Sequence, residues 1–144
     1  MQFVEIKHGS EEYKMTLDLR DQVLRIPLGM RLSGNDIAGE QQQLHFGLFQ
    51  DSVLVASVIF KPLCSKKAKL RQMAVHTDFQ GCGYGAMIVN LSEQKIFSLG
   101  YKEIEMAARE TAVGFYQKLG YSKQGEMFTE VGIPHYHMVK QNQI

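Results

Sequence analysis

Residues 69 to 86 read Lys-Leu-Arg-Gln-Met-Ala-Val-His-Thr-Asp-Phe-Gln-Gly-Cys-Gly-Tyr-Gly-Ala. A β-type run leads through a short polar turn into glycines at 81, 83 and 85, where a helical pattern opens. Unpaired backbone N–H groups at a helix start point outward, with the positive end of the helix dipole behind them, so this turn is a candidate anion site. A phosphate-bearing ligand is the expectation. Glycine suits it because a missing Cβ permits unusual φ/ψ and lets a ligand approach the main chain.

Three other groups could do chemistry. Tyr116 lies on a helical stripe with Ala112, Phe115 and Leu119; on periodicity alone it is a core aromatic with a satisfied hydroxyl. His135 and His137 share one face of a strand, a spacing compatible with metal ligation. No cysteine or carboxylate cluster accompanies them, so they are taken as structural and no metal is expected. Cys82 sits at a helix start, where thiol pKa values fall.

The elements that must position these residues follow from periodicity and breakers. Gln2 to Lys7 alternates as a strand, and Ser10 caps a helix running to about Arg25, with Met15, Leu19, Val23 and Ile26 as its buried stripe. Pro27 stops it, and residues 29 to 43 form a loop with at most one helical turn. Leu44 to Phe49 and Ser52 to Phe60 are strands joined at Gln50-Asp51, and Lys67 to Val75 is the next. The helix after the glycine turn buries Tyr84, Met87, Ile88, Leu91 and Leu99, and Gly100 ends it. Lys102 to Ala108 is a strand, Thr111 to Lys118 a short helix, and Ser122 to Phe128 and His135 to Lys140 close the chain around a turn through Gly132 and Pro134. This order predicts one mixed α/β domain with an antiparallel meander. Each helical crossover should make neighbouring central strands locally parallel.

Composition narrows the function. With 144 residues, 44% hydrophobic and 22% charged, the chain makes one domain with a real core. Its 16 basic and 15 acidic residues give a net charge of +1, so no nucleic-acid footprint appears. Lys61, Lys66, Lys67, Lys69 and Arg71 form one local cluster, read as a solvated strand end. Two cysteines make no disulfide framework, which fits a reducing, cytoplasmic compartment. The N-terminus lacks a signal-like apolar run, and no segment approaches the roughly 20 apolar residues of a membrane span.

Spacing separates three glycine-loop chemistries. A nucleoside-triphosphate loop needs a lysine followed by Ser or Thr after its glycines, and none is present. A dinucleotide fingerprint is formally met by Gly81-x-Gly83-x-x-Ala86, with Glu103 and Glu105 about 20 residues on, but too little chain follows to complete a doubly wound domain. The third frame is Gln80-x-x-Gly83-x-Gly85 after a strand and before a long helix. Here the chain resembles the GNAT superfamily of acetyl-coenzyme A dependent N-acetyltransferases, whose pyrophosphate loop is [QR]-x-x-G-x-[GA]. Ala108 to Tyr121, with Phe115-Tyr116-Gln117-Lys118-Leu119-Gly120-Tyr121, is similar to the family's second block. The segment Gly125 to Met138, with Ile133-Pro134-His135, is similar to the small ElaA-like and YjcF-like bacterial branch.

The resemblance implies a GNAT-like, mostly antiparallel central sheet flanked by helices. It implies that the coenzyme A pyrophosphate is held by Gln80, Gly81, Cys82, Gly83, Tyr84, Gly85 and Ala86, with Phe115 and Tyr116 also on the cofactor. The pantetheine arm would pair with Met73, Ala74 and Val75 like an extra strand. It further implies that the Val75 N–H polarises the thioester carbonyl and that Tyr116 protonates the departing thiolate. Cys82 then becomes incidental. The acceptor would be a small-molecule or peptide amine, of which only about one part in 2,500 is neutral at pH 7, so a base or water relay is needed. His135 is the first candidate, ahead of Glu105, Asp36 and Glu40. Dimers are common in the family, so a homodimer is compatible with the resemblance. The absence of an obvious base leaves a catalytically silent acyl-coenzyme A sensor as the alternative.

Overall fold

The computed structural model describes residues 1–142. Its strands are β1 (Gln2–Ile6), β2 (Leu44–Gln50), β3 (Val53–Pro62), β4 (Lys67–Val75), β5 (Glu103–Arg109), β6 (Ser122–Glu130) and β7 (Ile133–Gln141). Its α-helices are α1 (Glu11–Arg20), α2 (Gly34–Ile37), α3 (Tyr84–Ser98) and α4 (Val113–Lys118). The sheet order is β1-β2-β3-β4-β5-β7-β6, and only the β4–β5 pair is parallel.

That order halves one expectation. The crossover through α3 does set β5 parallel to β4, but the crossover through α4 does not set β6 beside β5. Strand β7 inserts between them, antiparallel to both. A tight β6–β7 hairpin makes this accessible, because β7 can fold back into the open edge of β5 while β6 is carried outward. The hairpin turn is Val131-Gly132, both with positive φ. Pro134 is therefore not in the turn but inside β7, opposite Thr129.

Strand β3 is buried from Leu54 to Phe60 because helices cover both sheet faces. On one face Ile88, Val89 and Ile96 of α3 pack against Phe46, Leu48, Val58, Phe60, Ile104 and Met106. On the other, Tyr13 and Leu19 of α1 meet Ile6, Phe49, Leu54 and Ala74. Each fully buried side chain of this size contributes about 1.5–3 kcal/mol.

Helical stripes are rotated from the sequence expectation. Ile26, Met87 and Leu99 are exposed, whereas α1 buries Tyr13, Thr16, Leu19 and Arg20, and α3 buries Ile88, Val89, Ser92, Glu93 and Ile96. Polar residues on the buried faces misled the apolar count. The first helix continues past Arg20 as a wider turn over Asp21–Arg25, and the 29–43 segment holds two helical turns rather than one. The β2–β3 turn centres on Asp51-Ser52, with Asp51 at φ 55, one residue later than expected.

The buried charges of α1 organise that segment. Arg20 Nη1 and Nη2 donate to Glu40 Oε1 and Oε2 at 2.9 and 2.6 Å, and the Tyr13 hydroxyl donates to Oε1 at 2.7 Å. Burial alone would raise the Glu40 carboxyl, but Arg20, Tyr13 and Arg71 together hold it below the usual carboxylate range. Burial and Glu40 push Tyr13 up to about 12. Arg20 Nε also donates to Gln72 Oε1 on β4, so the network links the loop to the strand next to the site.

Candidate active site

Strand β4 pairs with β5 only over Lys67, Ala68 and Lys69, opposite Glu103, Ile104 and Glu105. Beyond Lys69 the two strands separate. The cause is local: β4 carries a bulge against β3 between its pairs at Arg71 and Ala74, and Gln72 adopts φ 48 there. A bulge bends its strand and increases twist, which turns the end of β4 away from β5. The opening is a cleft of about 400 Å³, walled by Leu70 to Met73 of β4, Met106 to Arg109 of β5, and Leu24 and Arg25. Tyr116 of α4 and Glu130, Val131 and His135 of the last hairpin complete it. Gln72 and Val131, two of three non-glycine residues with positive φ, line this cleft, so strained backbone is concentrated at the site.

Backbone alternation decides where Val75 points. The His76 N–H donates to the Val55 carbonyl at 2.8 Å, while Val75 lies opposite Ala56. In an antiparallel ladder successive N–H groups face opposite edges, so the Val75 N–H is directed away from β3, toward the gap left by β5.

The glycine turn lies at the end of this same strand. Gln80 Nε2 donates to the Val75 carbonyl at 3.0 Å, tying the turn back to β4. Gly83 is the N-cap of α3 at φ 85 and has no side chain to satisfy the first-turn N–H groups, whereas Ser10 and Ser33 cap α1 and α2. A Cβ at Gly83 would meet nothing within 4 Å, so the space over those N–H groups is open. At Gly85 a Cβ would lie 3.3 Å from Phe115, 3.4 Å from Val75 and 3.5 Å from Met73. Gly85 is thus the contact through which α3, α4 and β4 close together. An open, uncapped 15-residue helix start beside a splayed strand fits a phosphate-bearing ligand with an extended arm.

Tyr116 is buried, its ring edge-on to Phe115 at 4.9 Å and to Tyr121 at 5.7 Å. It packs in the core and also lines the cleft, and its hydroxyl has no hydrogen-bond partner among the described residues, unlike the satisfied hydroxyl expected of a core tyrosine. Burial first, and then the charge of Glu93, raise its pKa well above the ordinary phenol value. Glu93 is itself held by the Tyr121 hydroxyl at 2.6 Å and Lys140 Nζ at 2.9 Å.

His135 reaches the cleft from β7, opposite Arg109. Its Nδ1 lies 2.9 Å from the Ile133 carbonyl, which can only accept, so Nδ1 carries a hydrogen, and in the neutral tautomer the lone pair is on Nε2. Glu130 Oε2 is 3.7 Å from Nε2. The weaker base candidates are engaged elsewhere. Glu40 is fully buried in its ion pair, Glu105 pairs with His137 at 3.4 Å away from the cleft, and Asp36 lines the cleft but is gripped by Arg25 Nε and Nη2 at 3.3 and 3.1 Å. Arg25 holds the Asp36 carboxyl below its usual range.

Met73, Val75, Gln80, Gly85 and Phe115 are therefore brought together, and Met73, Tyr116 and His135 share the cleft. Gly81 and Cys82 belong to the turn and Ala86 to the first turn of α3; of the expected cofactor residues only Met73 and Tyr116 line the cleft. Among the described residues no group of three or more His, Cys, Asp or Glu side chains could hold a metal. Cys64 and Cys82 are free and exposed, and among the described residues no helix is long and apolar enough to cross a membrane. The basic cluster is not simply a solvated strand end: Lys67 pairs with Glu103 at 3.2 Å, and Lys69 and Arg71 line the cleft. Arg25, Arg109, Glu130 and Val131 had no role in the sequence reading. Arg109 could have been noticed, since it stands where a strand ends and the Phe115-Tyr116 block begins.

The Bacillus subtilis protein YyaT is 35% identical over 74 residues, a match spanning 51% of this chain and 50% of YyaT, about half the length of that relative. The fold is that of Escherichia coli ElaA, with a TM-score of 0.84 at 20% identity over 98% of this chain and 100% of the other. It is also that of a GNAT family acetyltransferase from Elizabethkingia anophelis with acetyl-CoA bound, with a TM-score of 0.76 at 16% identity over 98% and 97%. Residues 31–142 match the acetyltransferase (GNAT) domain, and the chain belongs to the GNAT acetyltransferase family.

Proposed function

We propose that this protein is an N-acetyltransferase that moves an acetyl group from acetyl-CoA to a primary amine by direct attack. The observation that supports the reading is the β4–β5 separation, which opens a cleft lined by Met73, Tyr116 and His135, with Val75 two residues further along β4 and the uncapped start of α3 beyond the end of that strand. Acetyl-CoA supplies an acyl group activated as a thioester. The first-turn N–H groups at Tyr84, Gly85 and Ala86 would receive its pyrophosphate, with Gln80 bracing the turn, while Met73 and Val75 offer backbone edges to the pantetheine arm.

Each chain residue then has one task. The Val75 N–H donates to the carbonyl oxygen, where negative charge grows as the amine attacks. His135 Nε2, an acceptor because Nδ1–H is committed to Ile133, takes a proton from the amine. Tyr116 donates its proton to the departing thiolate; its burial keeps the phenol protonated at any working pH, so the donor form is always present. Two free, exposed cysteines accord with a reducing compartment, and we place the enzyme in the cytoplasm on that ground.

Pure protein incubated with acetyl-CoA and an amine library, scored by released thiol and by mass of the product, tests the reading. Acetylated amine with one thiol released per transfer is expected. No turnover together with no acetyl-CoA binding by calorimetry would overturn it, and binding without turnover on any amine would return the chain to a non-catalytic sensor.

A further inference from the structure

The cleft contains cations that the fold does not neutralise. Four line it: Arg25, Lys69, Arg71 and Arg109. Arg25 is bound through two nitrogens by Asp36, and Arg71 is answered by Glu40 at 3.2 Å, with Gln43 and the Asp36 carbonyl completing its contacts. Arg109 is different. Its Nη2 donates to the Leu24 carbonyl at 2.9 Å, and no carboxylate among the described residues pairs with it. Burial, and then the charge of Arg25, lower its pKa, so both of its surroundings work against the cation. Lys69, at the last β4–β5 pair, has no ion pair either. Set against the two carboxylates that line the cleft, Asp36 and Glu130, the four cations leave two positive charges unmatched, and Glu40, which answers Arg71 from outside the lining, is shared with Arg20.

An unpaired guanidinium drawn partly out of water is costly unless something anionic completes it. Arg109 has five N–H donors in a planar fork, and one is spent on Leu24, so an edge is free to take a carboxylate through two parallel hydrogen bonds. Its position fits the acceptor side of the cleft. It lies opposite His135 in the β5–β7 pairing and beside Leu24 of the turn that follows α1.

We propose that the acceptor is a small amine that carries a carboxylate, an amino acid or a close analogue, and that Arg109 selects it by binding that carboxylate. This rests on the acetyl-transfer reading above. The reactive form, with amine neutral and carboxylate ionised, bears a negative charge that a lining with unmatched cations favours. A cleft of about 400 Å³ is toward the lower end of small-molecule sites, about 300–1,000 Å³, which suits a ligand of this size.

Matched acceptors test it: alanine, β-alanine and glutamate against their amides, with wild type, Arg109→Gln and Arg109→Lys. Comparing each acid-to-amide ratio between enzymes cancels the different amine basicities. Arg109→Gln should lower kcat/KM for the acids by about ten- to hundredfold and for the amides by less than about threefold, with Lys intermediate and acetyl-CoA affinity unchanged. Equal losses for acids and amides would overturn the inference, as would weakened acetyl-CoA binding as the main effect. Should Arg109→Gln not fold, wild type alone decides. Calorimetry with N-acetylalanine and N-acetylalaninamide should show binding of the acid at least about tenfold tighter, weakening with added salt, and equal binding would refute the proposal. If no amine is acetylated, the transferase reading falls, while this binding comparison still supports or rejects the carboxylate site.

Discussion

Replacing Tyr116 by Phe separates the two roles that its position combines. The ring is packed between Phe115 and Tyr121, and Phe preserves those contacts. The hydroxyl has no partner among the described residues, so its removal orphans no donor or acceptor, and the change in stability should lie within about 0.5 kcal/mol. For a domain of this size that is a Tm shift of no more than about 2 °C. Turnover should behave otherwise. A positioned general acid contributes about 10²–10⁴-fold, equivalent to about 2.7–5.5 kcal/mol of transition-state stabilisation. The assay is thiol release under saturating acetyl-CoA, with the variant's Tm and its acetyl-CoA affinity by calorimetry measured in parallel. The expected pattern is kcat down by at least about a hundredfold, with affinity and Tm unchanged. A variant with wild-type kcat would show that the hydroxyl is a spectator and that Tyr116 is only a core residue. A wild-type rate falling in an alkaline limb that Tyr116→Phe abolishes, below about pH 10, would contradict the upward shift caused by burial.

Three other perturbations probe the scaffold. Gly83→Ala forces a Cβ onto a residue at φ 85, costing about 1–2 kcal/mol and disturbing the backbone that aims the first-turn N–H groups; acetyl-CoA affinity by calorimetry should fall at least about tenfold. Gln80→Ala removes the tether to the Val75 carbonyl, so acetyl-CoA affinity should weaken by a few-fold with a Tm loss of a few degrees in thermal melts. Glu40→Gln leaves Arg20 buried without its counter-charge, which should cost about 3 kcal/mol and lower Tm by about 10 °C. The pH dependence has a definite sign. Because Glu40 is depressed in the folded state, its contribution is complete above the unfolded value near 4.5 and is lost as pH falls through the lower folded value, so wild-type Tm should drop in that acid window and the variant's should not drop by that component.

Local chemistry made much of this protein legible from residue order. The glycine offsets after Gln80, the strand before them and the Phe115-Tyr116 block each depend on a few adjacent residues whose backbone preferences are strong, so the turn, the strand before it and the helices after it could be read directly. Strand and helix order could be read for the same reason. The helical stripes of α1 and α3 were misread because Arg20 and Glu93 are buried against partners distant in sequence, such as Glu40 and Lys140, while Thr16 and Ser92 are buried with their hydroxyls bonded to carbonyls one turn back. No local count of apolar residues can register such pairings.

The sequence by itself determined the glycine turn at the start of α3, the family to which the chain belongs and the candidate acid, because glycine conformation and short-range spacing are properties of neighbouring residues. Tertiary structure alone decided the cleft. The bulge at Gln72, the insertion of β7 between β5 and β6, and the arrival of Leu24 at Arg109 bring together residues 52 to 85 positions apart in the cases of Arg20 with Gln72 and Arg109 with Leu24. An unmatched charge becomes visible only once every possible partner has been placed, since burial and pairing are sums over the whole fold.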